Sequence, residues 1–501
     1  MKQPALSCAI LALALVVASA LPGCGGGGGG SSPVPDPGPV VPPITVNGPA
    51  WWGFGRDGQH SAVAGIASQD LNRIAWSTPV DLAPQYTSAG ALLIHYGSPV
   101  ITAANTVVLP VKTGATDGFR VEARDGATGT LRWSLASDYR LPAHDWVPSY
   151  GPTLAPSGAL HAPGAGGKLI VRDNPDSALG TARTTVFFGD SVYAGNPAAF
   201  DSSVFINTPI TADAQGNLFF GFIVAGPNPA GLVSGLARVG ADGSGRWVAA
   251  AAAADDSAIA KVATNAAPAM SPDQRTVYVA VNKAPATGSV QSGYLLALDS
   301  TTLAVQARVA LLDPAAGTPA RVSDNSTASP TVGPDGRVFF GVLESVFGAH
   351  NARGWMLQFD PLLAASRTPG SFGWDTTASI VPAAMVPSYG GASGYLVAVK
   401  YNNYAGRGDG MNRLAVLDPS AAQADNISGR PVMREVLTIL GPTFESGNSG
   451  PVKEWCINTM AVDPFTKSIL VNSEDGILYR WDLPSNSFPQ KIRLTSGLGQ
   501  A

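Results

Sequence analysis

The sequence predicts an all-β fold made of short strands and many turns. Hydrophobic residues make up 45% of the 501 residues and charged residues only 13%, with 58 Gly and 41 Pro, a composition typical of apolar strands joined by turns. One hairpin-plus-strand unit recurs about seven times, roughly every 50–75 residues. Strand-only repeats of this period favour closure into a ring, so we expect a β-propeller of seven four-stranded blades, with eight as the alternative.

Each unit begins with a small or Pro-containing entry, followed by two apolar strands and a third strand that ends near an acidic residue, as at Asp125 and Asp299. The second unit is irregular, because TTVFFGDSVYAGN (residues 184–196) stands where its third strand is expected. Ala249 to Ala254 is expected to form a short helix or a loop. The seven units start at Ser98, Gly151, Asn207, Asn265, Ser329, Val381 and Asn458.

The stretch ARDGATGTLRW (residues 123–133) shows the local chemistry of a unit. Apolar and polar residues alternate in front of it, which is the period of a half-buried strand. Asp125 can accept hydrogen bonds from the N–H groups of the following turn, and Gly129 can supply a positive φ. Trp133 is large enough to fill the space between two twisted sheets. Every residue here has a structural use.

This A-x-D-x-x-T-G-x-x-x-W strand resembles the repeat of the PQQ-like (pyrroloquinoline-quinone-like) β-propeller family. WWGFGRDGQHSAVA (residues 51–64) and LNRIAW (residues 71–76) resemble the usual opening of that family. The resemblance covers roughly residues 51–501. It implies that the N-terminal strand joins the last blade and closes the ring, which removes exposed sheet edges.

The N-terminus has the pattern of an export signal, with Lys2 followed by an apolar run too short to span a membrane stably. LPGC, ending at Cys24, resembles the lipobox of bacterial lipoproteins, which implies lipidation of Cys24; a secretory signal cleaved near Ala20 is the alternative. We therefore divide the chain into a signal peptide (1–23), a Gly/Ser/Pro-rich tether (24–49) and the propeller (50–501). With Gly25 after the lipidated Cys, the resemblance implies the outer membrane, facing the periplasm or the cell surface.

Composition also limits partners and cofactors. The formal net charge of −4 gives no basic footprint for nucleic acid. With 5 His and 3 Cys, the chain offers little material for a metal site, and we expect neither a metal nor a cofactor. Cys8 leaves with the signal and Cys24 would carry lipid. Cys456 then remains alone, and no intramolecular disulfide can form.

The resemblance implies three classes of function. Quinoprotein dehydrogenases of the family hold PQQ in the channel against a Trp, commonly beside a disulfide of adjacent cysteines, with Ca²⁺ held by Glu, Asn and Asp. This chain lacks an adjacent Cys pair and a C-x-x-C-H haem motif. A polysaccharide lyase or hydrolase would need a base, for which His144–Asp145 is a candidate. The third class, which we favour, is a non-catalytic binding or scaffold propeller that contacts an envelope protein or a saccharide.

A binding site is expected at one mouth of the central channel, where the residues just before each innermost strand converge. These positions are rich in carboxylates, amides and aromatic rings, which is typical of a site for a polar ligand. The alternative is that the same side chains cap strand ends and fill the channel with hydrogen bonds. The candidate binding residues are His95, Tyr96, Asp145, Tyr150, Asn207, Asn265, Asp324, Asp375, Lys453, Glu454 and Trp455.

Overall fold

The computed structural model describes residues 51–495, apart from short gaps. The predicted signal peptide, Cys24 and the tether therefore lie outside the described residues. The candidate site residues His95, Tyr96 and Asp145 fall in the gaps, as does Cys456. The gaps are residues 91, 94–96, 145–146, 285–289, 325–327, 365, 405–407, 445–449, 451 and 456.

Seven antiparallel sheets follow one another along the chain and form the blades of a seven-bladed β-propeller, as predicted. The first strand of each blade lies nearest the channel. In blades 3 and 4 this strand is split, and its earlier pieces are Val204–Ile206 and Lys261–Val262. The innermost strands of blades 1 to 7 are Val100–Ile101, Thr153–Leu154, Thr211–Ala212, Ala269–Met270, Thr331–Val332, Ser379–Pro382 and Ala461–Asp463.

The remaining strands run outward through each blade in sequence order. The second strands are Thr106–Lys112, Leu160–Pro163, Leu218–Val224, Thr276–Asn282, Val338–Val342, Tyr395–Tyr401 and Ser468–Asn472. The third strands are Phe119–Asp125, Lys168–Arg172, Gly235–Val239, Gly293–Asp299, Trp355–Phe359, Arg413–Ala424 and Ile477–Asp482. The fourth strands of all blades except blade 5 are Leu131–Ser137, Ala182–Val186, Gly245–Ala249, Val305–Ala310, Pro431–Leu440 and Ser487–Arg493.

The described residues contain few helices, and each is short. The alanine run forms the helix Ala250–Ala254, one of its two predicted forms. Two small sheets lie outside the blades and pair Gln85–Tyr86 with Leu92–Leu93 and Val290–Gln291 with Val322–Ser323. The other helices are Asp190–Gly195 and Pro197–Asp201, with 3₁₀ turns at Ala165–Gly167 and Ala383–Met385.

The turn of blade 1 has the predicted chemistry. One carboxylate oxygen of Asp125 accepts from the backbone N–H groups of Ala127 (3.0 Å) and Thr128 (2.9 Å). Gly129 has φ +71°, which an L side chain would strain. Trp133 is buried between blades 1 and 2, where its indole N–H donates to the Pro175 carbonyl at 2.7 Å. Turn geometry and packing therefore explain the residue pattern of this strand.

The third strand of blade 2 differs from the expectation. It is Lys168–Arg172, and the TTV of the predicted stretch belongs to the fourth strand, Ala182–Val186. All five residues of Lys168–Arg172 are buried, so the strand does not alternate between polar and apolar residues. Its two end charges have local partners, since Lys168 pairs with Asp138 and Arg172 donates to the Gly180 carbonyl.

Blade 6 extends over the outer edge of blade 5. Its third and fourth strands are 12 and 10 residues long. Blade 5 has only isolated bridges at Ser366 and Gly370 in the place of a fourth strand. The blade 6 hairpin attaches there through the N–H of Met433, which donates to the Pro369 carbonyl at 2.8 Å, and through Val432, which is buried in the core of blades 4 and 5. The two blades therefore share one outer wall.

Residues 51–64, which we call the channel segment, run around the centre of the ring. Their backbone forms hydrogen bonds with the innermost strands of six blades in chain order, at Ile101, Leu154, Met270, Val332, Ile380 and Val462. Blade 3 is also close, because a Cβ on Gly58 would lie 3.1 Å from the Ala212 carbonyl oxygen. The N-terminal segment thus joins the last blade as predicted. It does so through a parallel bridge from Val63 to the innermost strand, while all four strands of blade 7 come from later residues.

Candidate functional site

The channel segment is held in its curved path by internal hydrogen bonds. The Asp57 carboxylate accepts from the backbone N–H groups of Gln59 (3.1 Å) and Ser61 (3.0 Å), and it pairs with Arg56 at 3.0 Å. Gly55 has φ +60°, and a Cβ there would lie 2.7 Å from the Cβ of His60. Gly55 and Asp57, which belong to the stretch that resembles the family's opening, therefore allow and stabilise a sharp turn of the chain.

His60 fixes the channel segment to blade 5. Its ring is 1% exposed, lies edge-on to Phe54 and donates from Nδ1 to the Pro330 carbonyl at 2.7 Å. Nε2 is buried and has no hydrogen-bond partner. Burial lowers the pKa of His60 to about 4, because the charged imidazolium would lose its hydration. This histidine is therefore neutral and structural at pH 7.

Asn207 and Asn265 lie in the breaks of the split innermost strands. The Asn265 amide accepts from the N–H of Ser149 and donates to the Val147 carbonyl (3.4 Å), and its backbone N–H donates to the Asn207 carbonyl at 3.0 Å. The Asn207 amide donates to the Val262 carbonyl at 3.0 Å. Both side chains are buried, and they join the segments that enter blades 2, 3 and 4.

Asp324 is fully buried in a polar cluster between blades 4 and 5. Its carboxylate accepts from the ammonium of Lys261, from the amide of Asn282 (2.8 Å) and from the backbone N–H of Thr264 (2.9 Å). Burial raises the pKa of Asp324 and lowers that of Lys261, because the low-dielectric surroundings penalise both charged forms. The carboxylate is thus fully engaged within the protein.

Tyr150 belongs to the core of blades 1 and 2. It is completely buried, with its ring centre 4.5 Å from that of Phe119 and 5.4 Å from that of Tyr139. Burial raises the pKa of its hydroxyl above the ordinary value. The position precedes an innermost strand as predicted, and its ring stabilises the contact between two blades.

The candidates at blades 6 and 7 are only partly accessible. Trp455 is buried against Tyr479 and Phe488, with ring centres 5.8 and 5.6 Å away. Lys453 is also buried, whereas Glu454 is partly exposed. Asp375, also partly exposed, lies 3.5 Å from the ammonium of Lys400. Each of these residues has contacts within its own blade or with neighbouring segments of the chain, and ligand binding at the channel mouth stays a prediction.

His144, the candidate base of a lyase, has both ring nitrogens engaged. Nδ1 lies 2.7 Å from the Pro142 carbonyl oxygen, and Nε2 lies 3.2 Å from the side-chain oxygen of Gln85. Because a carbonyl oxygen only accepts, Nδ1 donates to Pro142; Nε2 of the neutral ring then accepts, which requires the Gln85 amide to turn its NH₂ group towards the ring. These contacts match the alternative in which the histidine satisfies its own loop.

The residues near the channel do not fit the quinone site that the family resemblance implies. Asp324 already has a Lys counter-ion, and the amides of Asn207 and Asn265 bind backbone groups. The channel segment forms backbone hydrogen bonds with the innermost strands of six blades. Within the described ranges, no group of three or more His, Cys, Asp or Glu side chains could hold a metal ion. We therefore derive no chemistry through PQQ.

A separate polar cavity of about 390 Å³ lies between blades 5 and 6. Arg353, just before the third strand of blade 5, and Tyr401, at the end of the second strand of blade 6, both line the cavity and contact each other. The Arg353 guanidinium carbon lies 4.4 Å from the centre of the Tyr401 ring. The other charged residues that line this cavity are Asp409, Arg413, Asp425 and Glu435.

This cavity was not predicted from the sequence. Its walls come from residues between 351 and 438, and neither Arg353 nor Tyr401 belongs to a recognisable motif. Asp425 is placed at the cavity by contacts with the neighbouring blade: His350 Nε2 lies 3.0 Å away, and Ser371 donates to the carboxylate. Burial alone would raise the pKa of Asp425, but these hydrogen bonds outweigh it and lower the pKa below its ordinary value. Only the three-dimensional overlap of two blades forms the site.

Comparisons with known proteins support the fold. The structure resembles a europium-containing methanol dehydrogenase with a TM-score of 0.54 and 10% identity, over 90% of this chain and 87% of that one. It also resembles the quinohemoprotein alcohol dehydrogenase from Comamonas testosteroni with a TM-score of 0.50 and 10% identity, over 91% of this chain and 75% of that one.

BamB from Moraxella catarrhalis matches with a lower TM-score of 0.31 and 12% identity, over 82% of this chain and 80% of that one. No protein-family model and no curated protein matches the sequence. At these identities, the likeness to the two dehydrogenases establishes the propeller fold alone. In the part of the chain that the structure describes, no helix is long and apolar enough to cross a membrane.

Proposed function

We propose that this chain is a lipid-anchored, non-catalytic binding or scaffold propeller of the bacterial cell envelope. The observation that carries the proposal is the channel segment, which lies along the innermost strands and forms backbone hydrogen bonds with six blades. The ring is therefore a rigid body whose loops and side cavities remain as binding surfaces.

The proposed anchor fits the place where the chain enters this body. Residue 51 already bonds to blade 1 through Ile101, so the tether of residues 24–49 leads directly from Cys24 into the ring. Its Pro-rich part, residues 33–43, favours an extended conformation at about 3.1 Å per residue, or roughly 30 Å in total. Such a tether would hold the propeller clear of a membrane surface.

The anchor is tested by Cys24→Ser. We expect this variant to leave the membrane pellet in high salt and to appear in the soluble fraction, because an acyl chain is the attachment that we propose. Cys456→Ser is the matched control, since it removes a thiol from the propeller and should stay with the membrane. Retention of Cys24→Ser in the pellet would contradict the lipoprotein assignment.

The binding role is tested by crosslinking in intact envelopes followed by purification of the full-length protein. A scaffold should retain a specific envelope protein or a saccharide and should lose it when the ring is unfolded before crosslinking. Reconstitution with PQQ and Ca²⁺, and incubation with a uronate polymer, serve as activity assays. A quinone-dependent oxidation or release of an unsaturated sugar product would overturn the non-catalytic assignment.

A further inference from the structure

The cavity between blades 5 and 6 contains an arginine that forms no close ion pair in the described part of the chain, although the carboxylates of Asp425, Glu435 and Asp409 attract it from a greater distance. Among the described residues, no carboxylate oxygen lies within 4 Å of the Arg353 guanidinium, and its Nε is buried without an acceptor. Arg413 in the same cavity is different, because it pairs with Asp409 at 3.2 Å. Burial lowers the pKa of Arg353, yet an arginine keeps its charge in proteins, so an anionic group would stabilise it.

A second donor stands beside this cation. Tyr401 is 4% exposed, and its buried hydroxyl, which lies beside the backbone N–H of Ser371, has no acceptor for its proton among the described residues. Buried polar groups are nearly always paired, so a hydroxyl proton without an acceptor next to a guanidinium without a close ion pair marks a place for an oxygen-bearing ligand. A carboxylate suits both donors, because its two oxygens can accept from a guanidinium in a bidentate manner.

The rest of the wall favours hydroxyl groups over further negative charge. Side-chain amides and two hydroxyls line it, together with the partly buried carboxylate of Glu435. A ligand dianion such as a phosphate monoester would meet about twice the repulsion from the three carboxylates that a single carboxylate meets, whereas sugar hydroxyls can donate to them. The other neutral polar residues of the wall are Asn351, Ser371, Asn403, Gln423, Asn426 and Thr438.

We propose that this cavity binds an acidic sugar of the uronate class, with its carboxylate on Arg353 and Tyr401 and its hydroxyls on the amides and carboxylates of the opposite wall. The volume of about 390 Å³ lies in the range of ligand pockets, roughly 300–1,000 Å³. The site is distinct from the channel mouth. The proposal rests on the proposed binding role, because it names the class of ligand that would be bound.

The proposal is tested by calorimetric titration of the soluble Cys24→Ser protein with glucuronate. Glucose, which lacks the carboxylate, and glucose 6-phosphate, which carries a dianion, are the comparison ligands. We expect glucuronate to bind at least ~10-fold more tightly than glucose, because its carboxylate adds charge-assisted hydrogen bonds that glucose cannot form. Tighter binding of glucose 6-phosphate, or no binding of glucuronate, would overturn the assignment.

Variants locate the site. Arg353→Met and Tyr401→Phe should each weaken glucuronate binding, the first by at least ~10-fold and the second by a smaller factor. Arg321→Met is the matched control, because Arg321 is a blade 5 arginine whose guanidinium lies over the Phe347 ring at 5.4 Å, outside this cavity. Equal affinity in Arg353→Met and wild type would refute the site.

A chemical measurement keeps the test decisive if Arg353→Met does not fold. Phenylglyoxal modifies accessible arginines, so glucuronate should protect Arg353 in the Cys24→Ser protein, as followed by peptide mass spectrometry. Modification of Arg353 at the same rate with and without glucuronate would overturn the proposal. Because this protein lacks the acylated Cys, either result is independent of whether the membrane anchor exists.

Discussion

Truncation of Trp133 should separate packing between blades from ligand binding. The indole is 8% exposed and lies between the outer strand of blade 1 and the loop that follows the third strand of blade 2. Its N–H donates to the Pro175 carbonyl at 2.7 Å, and the guanidinium carbon of Arg172 lies 4.1 Å from the ring centre. One side chain thus makes apolar, polar and cation–π contacts across a blade interface.

The expected cost follows from these contacts. Truncation of a buried Trp to Ala typically lowers the free energy of unfolding by about 3–5 kcal/mol. Trp133→Phe keeps an aromatic ring under Arg172 but removes the indole N–H, and a lost hydrogen bond costs about 0.5–1.5 kcal/mol. We therefore expect the order wild type, Trp133→Phe, Trp133→Ala in denaturant midpoints followed by circular dichroism.

Trp76→Ala provides the comparison, because the Trp76 indole also donates to a backbone carbonyl, that of Gly126 at 2.9 Å, but its side chain is more exposed. Its cost should be smaller than that of Trp133→Ala. If Trp133→Ala unfolds at the wild-type midpoint, or if it loses binding of a ligand while it keeps that midpoint, the packing role assigned to Trp133 is wrong.

Three further changes probe the centre of the ring. As the pH falls, His60 should be protonated near pH 6.5 in the unfolded chain but only near pH 4 in the folded protein. The free energy of unfolding should therefore be unaffected by this group above pH 6.5 and should decrease as the pH falls towards 4. Between pH 7.5 and 5 the loss from this group is about 2 kcal/mol. A His60→Gln variant should show a correspondingly shallower pH dependence of unfolding, and an unchanged slope would contradict the buried neutral state. Asp324→Ala should cost about 3–5 kcal/mol in chemical denaturation, because Lys261 would be left as an unpaired buried charge; a near-wild-type midpoint would refute that pairing. Gly55→Ala should lower the melting temperature because of its positive φ and the nearby His60 Cβ, whereas an unchanged melting temperature would mean that the turn can relax.

Local patterns were sufficient to predict most of the fold. The third strand of blade 1 was visible because its apolar residues alternate and a turn with Asp125 and Gly129 follows. The third strand of blade 2 was not predicted in this way, because Lys168–Arg172 is buried along its whole length and has its charged residues at the two ends. Sequence alone does not show that Asp138 and the Gly180 carbonyl neutralise or satisfy those charges.

The candidate site was predictable only in part. The rule that residues before innermost strands converge identified Asn265 correctly in position, but its partner Ser149 lies 116 residues away in another blade. The cavity around Arg353 and Tyr401 depends on how the long hairpin of blade 6 covers blade 5. This overlap depends on tertiary packing, and no periodic pattern in the sequence predicts it.

The channel segment also sets the order in which the fold can be completed. Ser68, just beyond it, bonds to Asp463 across 395 residues, so the first part of the body to be synthesised meets its last partner at the end of synthesis. Contacts between residues so distant in sequence form late, because the entropy of closing a long loop opposes them. In a chain that is exported from its N-terminus, the end of this segment at Ala62 and Ala64 would remain unpaired until blade 7 emerges. A chain whose export stops early would therefore have an incomplete ring. Its blades would remain open and sensitive to proteases, so that incomplete chains would be degraded.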